Sequence, residues 1–305
     1  MRNVLLYILI LLNCSLVFAS PESINPDKVV VNLFKVFSGA KIKANKVEVR
    51  GPSFRNQDAP KDGAKRFNIP LEVFQRAQTL GQSVFSTLSG EGDDFHGTSF
   101  SIGENLILTN QHVLSPSRKN STKCRNFSIR TNEKKSEKFI CEEVLYCETK
   151  RDFCLIKIKS NSKRKRLKGK RVLIVSQLSR IPRLKLDISF RLGETGFESN
   201  ENFSTLGNTS GFGIHYSQGK HAQLIHKDIA FFSPLSQGNS GGPLLNEAGH
   251  VIGIVKQQSS TFYGTGYDVF NVAIPIREVV ETLREKLQNR PEVLAKLNKA
   301  ILVKP

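Results

Sequence analysis

Six histidines, a few aspartates and one serine set among glycines are the residues of this chain that could together break a bond. The serine is Ser240, in "SPLSQGNSGGPLLNEAGHVIGIV", Ser233 to Val255. Gly238, Gly241 and Gly242 around it tolerate positive φ and close backbone approach, so the stretch predicts a tight, unusual turn. Such a turn can present one hydroxyl with free backbone N–H groups beside it. A serine hydroxyl is a weak nucleophile and needs a general base, usually histidine, itself oriented by a third group. The histidines are His96, His112, His215, His221, His226 and His250, and only His112 directly ends a strongly apolar run, in "NLILTNQHVL". Between His112 and Ser240 the main acids are Asp152, Asp187 and Asp228. Asp152, in "KRDFCLIKI", lies at the mouth of a strand, where a carboxylate can be half buried beside an imidazole. Taken singly, each residue has an ordinary reading: a hairpin loop, a satisfied histidine at a strand end, a turn aspartate.

The elements that must position these groups read as β-structure. "SVFSTLSG", "GTSFSI", "NLILTNQHV", "FICEEVLYCE", "FCLIKIKS", "RVLIVSQL", "LKLDISFRL" and "HVIGIVKQ" are short apolar, β-branched and aromatic runs divided by Gly, Asn, Ser or charge. Regular short strands with turn signals predict an all-β sandwich or barrel. Only the tail breaks the pattern. "PIREVVETLREKLQNR" opens on proline and repeats apolar residues at Ile276, Val279, Val280, Leu283 and Leu287, which is helical spacing, and "PEVLAKLNKAI" predicts a second short helix. There is no internal repeat of fixed period.

Together, "GTSFSIGENLILTNQHVL", "RDFCLIKI" and "QGNSGGPLLNEAGHVIGIV" resemble the three hallmark segments of the trypsin-like, chymotrypsin-fold serine peptidases, in that fold's His–Asp–Ser order. The resemblance covers roughly residues 80 to 285, and "YDVFNVAIPIREVVETL" is similar to the closing strand and C-terminal helix of bacterial members. These include the HtrA relatives, although no PDZ domain is expected here. The resemblance implies an all-β fold of two antiparallel six-stranded β-barrels with a C-terminal α-helix. It implies a serine endopeptidase acting on protein or peptide substrates without a cofactor or metal. Ser240 would be the nucleophile, His112 the general base and then acid, and Asp152 the group that fixes the imidazole tautomer. The N–H groups of Gly238 and Ser240 would form the oxyanion hole.

Several positions depart from the animal enzymes of the family. Val113 follows His112 where many trypsins carry cysteine. Asn239 stands where they carry the aspartate that receives a new N-terminal amine on zymogen cleavage, which argues against trypsin-style activation. Lys256 falls near a position usually held by a small residue. Pro234 and Leu235, with Gln257 and Gln258 on the facing strand, would line the primary specificity pocket. No acidic residue sits at its base, so an uncharged P1 side chain is expected rather than Lys or Arg.

The rest of the chain sets the surroundings. The N-terminus, "MRNVLLYILILLNCSLVFASPES", has the charged, apolar and small-residue order of a secretory signal peptide, so residues 1–20 are expected to be removed on export to the periplasm or beyond the cell. No second apolar segment of that length follows, so no transmembrane segment is expected after cleavage. Residues 21–75 are weakly patterned and read as an N-terminal extension or propeptide, 76–290 as the peptidase domain and 291–305 as a helical tail. Without Cys14, an even set remains: Cys124, Cys141, Cys147 and Cys154. In an oxidising compartment these predict two disulfides, with three pairings open. No two of them form the CxxC pair that a zinc site favours. A formal charge of +18 includes the run "SKRKRLKGKR". Lys163–Arg171 reads as a solvated loop that can adhere to anionic surfaces. Without interleaved aromatics it does not read as a specific nucleic-acid site. An inactive peptidase-like domain binding anionic polymers or envelope components through this surface is the alternative function.

Overall fold

The computed structural model describes most of residues 71–302 and two short strands between 41 and 48. Residues 1–40, 49–70 and 303–305 lie outside the described residues, as do 90–94, 115–123, 125–126, 132–137, 161–162, 168–169, 175–180, 191, 193–201, 212, 226 and 264–265. The expected signal peptide and most of the expected extension therefore fall outside them.

In chain order, β1 (Lys41–Lys43) and β2 (Lys46–Glu48) pair as a small hairpin, and helix α1 spans Leu71–Gly81. The first barrel follows: β3 (Val84–Ser89), β4 (Phe95–Ser101), β5 (Leu106–Thr109), the single helical turn α2 (Gln111–Leu114), β6 (Ser128–Arg130), β7 (Lys138–Glu148) and β8 (Phe153–Ser160). A separate antiparallel hairpin joins β9 (Lys163–Leu167) to β10 (Lys170–Ile174). The second barrel comprises β11 (Phe203–Asn208), β12 (Ile214–Ile225), β13 (Asp228–Phe232), β14 (Pro243–Leu245), β15 (Val251–Tyr263) and β16 (Gly266–Pro275). Helices α3 (Ile276–Lys286) and α4 (Pro291–Ala300) end the described chain. Among the described residues no helix is long and apolar enough to cross a membrane.

Both sheets close on themselves, in the orders β3-β4-β5-β8-β7-β6 and β11-β12-β13-β16-β15-β14. The two-barrel architecture with C-terminal helices is the one the sequence resemblance implied. The two orders are the same topology used twice, although the sequence carries no repeat of fixed period. Barrel closure constrains which strands pair and which face turns inward, and many side chains satisfy that constraint.

The near-continuous apolar run "FCLIKI" is explained by two cores meeting across one strand. In β8, Phe153 and Leu155 face the apolar cluster between the barrels and helices, while Cys154, Ile156 and Ile158 fill the first barrel. In β5, Leu106 and Leu108 share the first cluster and Ile107 the second. A strand buried on both faces needs no polar alternation. The second barrel is filled by Phe203, Phe231, Leu244 and Ala273. Each such leucine, isoleucine or phenylalanine, fully buried, contributes on the order of 1.5–3 kcal/mol through the hydrophobic effect.

The terminal helices close the inter-barrel cluster. Ile276, Val279, Val280, Leu283 and Leu287 are all buried, the face that their spacing predicted, and Val293, Leu297 and Ala300 add the second helix. At the other end α1 runs across position 75 and buries Phe74 and Ala77. Among the described residues one expected strand does not form. "LKLDISFRL" is an extended segment whose Leu186 bridges Val251 and Ile301, and the Asp187 carboxylate, accepting from the N–H and hydroxyl of Ser189, bends the chain into a turn.

Candidate active site

His112 does not sit on the strand that leads to it. β5 ends at Thr109, and Asn110 carries the chain into α2, so the imidazole projects from a helical turn. Gly97 on β4 makes room for that turn: any Cβ there would collide with the γ-methyls of Val113. Val113 itself is buried in the first barrel's core, an apolar filler at the position where many trypsins have cysteine. The hydroxyl of Ser89 donates to the Val113 carbonyl oxygen at 2.7 Å and fixes the far end of the turn.

Asp152 meets His112 twice. Its Oδ1 accepts the His112 backbone N–H at 2.9 Å, and its Oδ2 lies 2.7 Å from Nδ1 of the ring. The two grips leave the imidazole little rotational freedom, and a carboxylate acceptor at Nδ1 places the proton there and leaves Nε2 as the outward acceptor. The aspartate side chain is 14% exposed and the histidine 36%. The carboxylate is thus shielded while the imidazole stays accessible.

The turn carrying Asp152 is held in a costly shape. Asp152 has φ 61°, a left-handed conformation that a non-glycine residue adopts at a cost of about 1–3 kcal/mol. Asn110 Nδ2 donates to its carbonyl oxygen at 2.7 Å. A disulfide between Cys147 and Cys154, opposite each other on β7 and β8, closes the hairpin. The second disulfide joins Cys124 to Cys141 on β7, so the open pairing question resolves into two links within the first barrel.

Ser240 lies in the turn between β13 and β14, and the glycines there have the roles their positions suggested. Gly238 and Gly241 have φ 92° and 85°. A Cβ on Gly238 would strike the Asn208 carbonyl oxygen, and one on Gly241 the Thr98 carbonyl and Thr109 hydroxyl. The turn is therefore wedged between the barrels. Gly241 N–H donates to Val255 and Val255 N–H to Gly242, both at 2.8 Å, on the second-barrel side. On the other side Thr98 N–H donates to the Ser240 carbonyl oxygen at 2.9 Å. Among the described residues, the N–H groups of Gly238 and Ser240 have no acceptor. Two free donors on one turn are what an oxyanion needs.

Asn239, between them, is buried and its amide is met by the Thr209 hydroxyl and the Ser236 carbonyl oxygen. Its hydrogen bonds are satisfied by neutral neighbours, without a charged N-terminal amine. Gly207 is required beneath it, because any side chain there would overlap Asn239 Oδ1.

The structure thus joins His112 to Asp152 directly and seats the turn of Ser240 against the β5–α2 link. The other candidate acids are employed elsewhere: Asp187 with Ser189 and Asn246, and Asp228 with Arg151. His215 is turned onto the Gly213 carbonyl oxygen through Nδ1, and burial pulls its pKa below the ordinary histidine value. Of the expected pocket, Pro234 is exposed and Leu235 packs on the second-barrel core. Gln257 and Gln258 lie on β15 opposite Val272 and Asn271, with their side chains outside the description. The side chains of Lys163–Arg171 are likewise outside it. Lys256 sits at the β-bulge between Val255 and Gln257. Thr98, buried and bonded to both barrels, was not singled out by the sequence, where it reads as one more strand hydroxyl.

The family described as trypsin-like peptidase domain matches residues 97–254. A glutamyl endopeptidase of Staphylococcus epidermidis is 22% identical over 220 residues, 69% of this chain and 69% of that protein. Protease Do-like 5, chloroplastic, of Arabidopsis thaliana is 39% identical over 84 residues, 27% of this chain and 25% of that one. Among solved structures, the serine endoprotease from Yersinia pestis shares the fold, with a TM-score of 0.52 at 15% identity over 72% of this chain and 68% of that chain.

Proposed function

Because this chain belongs to the trypsin-like peptidase domain family, we propose that it is an exported serine endopeptidase whose catalytic triad is His112, Asp152 and Ser240. The observation that carries this reading is the double grip of Asp152 on His112 beside a turn with two unengaged N–H groups. Ser240 Oγ attacks the scissile carbonyl carbon as His112 Nε2 takes its proton. The oxyanion that forms is received by the N–H groups of Gly238 and Ser240, each such donor contributing about 3 kcal/mol of transition-state stabilisation. The imidazolium is stabilised by Asp152 and returns its proton to the departing amine. Water, activated by the same base, then releases the acyl group from Ser240.

Export is supported by the signal-like residues 1–20 and by the two disulfides, which persist in oxidising compartments. The destination is the periplasm or the exterior. For the P1 side chain we keep an uncharged preference, since Pro234 and Leu235 carry no charge.

The test is digestion of a denatured protein substrate by the purified protein, with cleavage sites read by mass spectrometry beside His112→Ala. Cleavage after uncharged residues, lost in the variant, is the expected result. Cleavage mainly after glutamate would move the specificity toward that of the glutamyl endopeptidase relative. Cleavage unchanged in His112→Ala, or none in the wild type, would overturn the triad reading and favour a peptidase-like binding domain.

A further inference from the structure

The residue ahead of the proposed triad acid spends its side chain on the other half of the molecule. Arg151 Nε donates to Glu278 Oε1 at 2.5 Å and its Nη2 to Oε2 at 2.7 Å, a two-pronged grip on the first turn of α3. The same Nη2 lies 2.7 Å from Asp228 Oδ1 and donates to the Lys227 carbonyl oxygen at 3.4 Å, at the turn between β12 and β13. Side-chain exposures of 24% for Arg151, 18% for Asp228 and 32% for Glu278 keep this cluster partly out of water, where such pairs hold geometry best. Burial pulls the pKa of Arg151 down. The hydrogen bond to Glu278 and the charges of Asp228 and Glu278 outweigh it, and the net shift is upward.

This placement bears on Asp152. Its turn is anchored within the first barrel by Asn110 and by the Cys147–Cys154 disulfide. Arg151 ties the same turn to Lys227 and Asp228 of the second barrel, which carries Ser240. His112 and Asp152 come from one barrel and Ser240 from the other, so their mutual distance depends on how the barrels register. A guanidinium that grips Glu278 with two donors and also pairs with Asp228 resists both translation and rotation of the turn.

We propose that Arg151 is a positioning residue: a latch between the barrels that sets Asp152, and through it His112, against the barrel bearing Ser240. The inference rests on the triad reading for its kinetic consequence, though not for its geometry. A misplacement of about 1 Å in such a constellation can cost about 10²-fold in rate.

The test compares the wild type with Arg151→Gln, Glu278→Gln and the double variant. Expected in Arg151→Gln is a kcat lower by about ten- to a hundredfold with KM within about twofold, the signature of lost orientation rather than lost binding. The downfield proton resonance of the His112 Nδ1–H held by Asp152 should broaden or vanish. The double variant should be no worse than Arg151→Gln alone, because both remove one contact, and Arg151→Lys should recover only part of the rate. Wild-type kcat and an unchanged resonance in Arg151→Gln, with a lowered melting temperature only, would overturn the latch. If Arg151→Gln does not fold, Glu278→Gln carries the same two readings. A wild type without hydrolytic activity would sink the peptidase reading, while the resonance would still decide whether Arg151 holds the histidine–aspartate pair.

Discussion

The Thr98 hydroxyl, in the first barrel, donates to the Gly238 carbonyl oxygen, in the second, at 2.6 Å. The Thr98 hydroxyl oxygen in turn accepts the Asn208 N–H at 2.8 Å, and the Thr98 carbonyl accepts the Thr109 hydroxyl at 2.7 Å. One fully buried residue therefore holds the turn of Ser240, the strand β11 beneath it and the strand leading to His112.

Thr98→Val keeps the shape but leaves the Asn208 N–H and the Gly238 carbonyl without their partner. Each buried orphan costs about 1–3 kcal/mol, so the melting temperature should fall. Release of the Gly238 peptide should also lower kcat by about ten- to a hundredfold if it costs part of one oxyanion donor. Thr98→Ser retains the hydroxyl and should stay near wild type. Thermal unfolding and steady-state kinetics on the two variants check this. Equal activity in Val and wild type would show that the turn does not need the Thr98 hydroxyl.

Asp152→Asn should be far more damaging to rate than to stability. An amide in place of Oδ2 favours the wrong imidazole tautomer, a change that costs about 10⁴-fold in kcat in the chymotrypsin-type triad. The measurement is kcat at neutral pH beside a melting curve. A loss of less than tenfold would mean that Asp152 does not orient the base.

Two glycines at positive φ separate strain from crowding. Gly249, φ 80°, has only flexible Leu80 side-chain atoms within reach, so Gly249→Ala should cost about 1–2 kcal/mol of backbone strain and leave kcat alone. Gly241→Ala adds a collision with Thr98 and Thr109 to similar strain and should cost more and abolish activity. Denaturant unfolding of both variants, with activity assays, makes the comparison. Equal losses in the two would contradict the wedged turn.

His215 sets a pH limit on stability. Burial lowers its pKa from 6.5, so the folded protein binds fewer protons than the unfolded chain just below that value. Its contribution is therefore complete above pH 6.5 and is lost as pH falls from 6.5 through the depressed folded value. His215→Asn should flatten that part of the stability–pH curve. Denaturant midpoints across the interval read it directly, and an unchanged slope would assign the pH dependence to other groups.

The site was legible where chemistry restricts residue choice. A turn at positive φ demands glycine, and Gly238 and Gly241 announced it around Ser240. Apolar runs such as "FCLIKI" announced the strands that flank it, and helical spacing announced α3. The endings were less legible: "NLILTNQHV" reads as strand through His112, yet the chain turns helical at Gln111 because Asp152 binds both backbone and ring of His112. "LKLDISFRL" alternates like a strand, but Asp187 caps a local turn instead. Strands β11 to β13 went unmarked because polar residues share their buried faces, among them Ser204, Thr205 and Asn208. Thr98 and Arg151 act through partners more than a hundred and more than seventy residues away, and no local pattern encodes such a partner.

In the proposed triad Ser240 is an activated nucleophile. The most direct measurement is reaction of the purified protein with a fluorophosphonate, followed by peptide mapping and run beside Ser240→Ala. One adduct, located on Ser240, should form in the wild type and be absent from the variant. No adduct in the wild type, or an adduct that persists in Ser240→Ala, would contradict it.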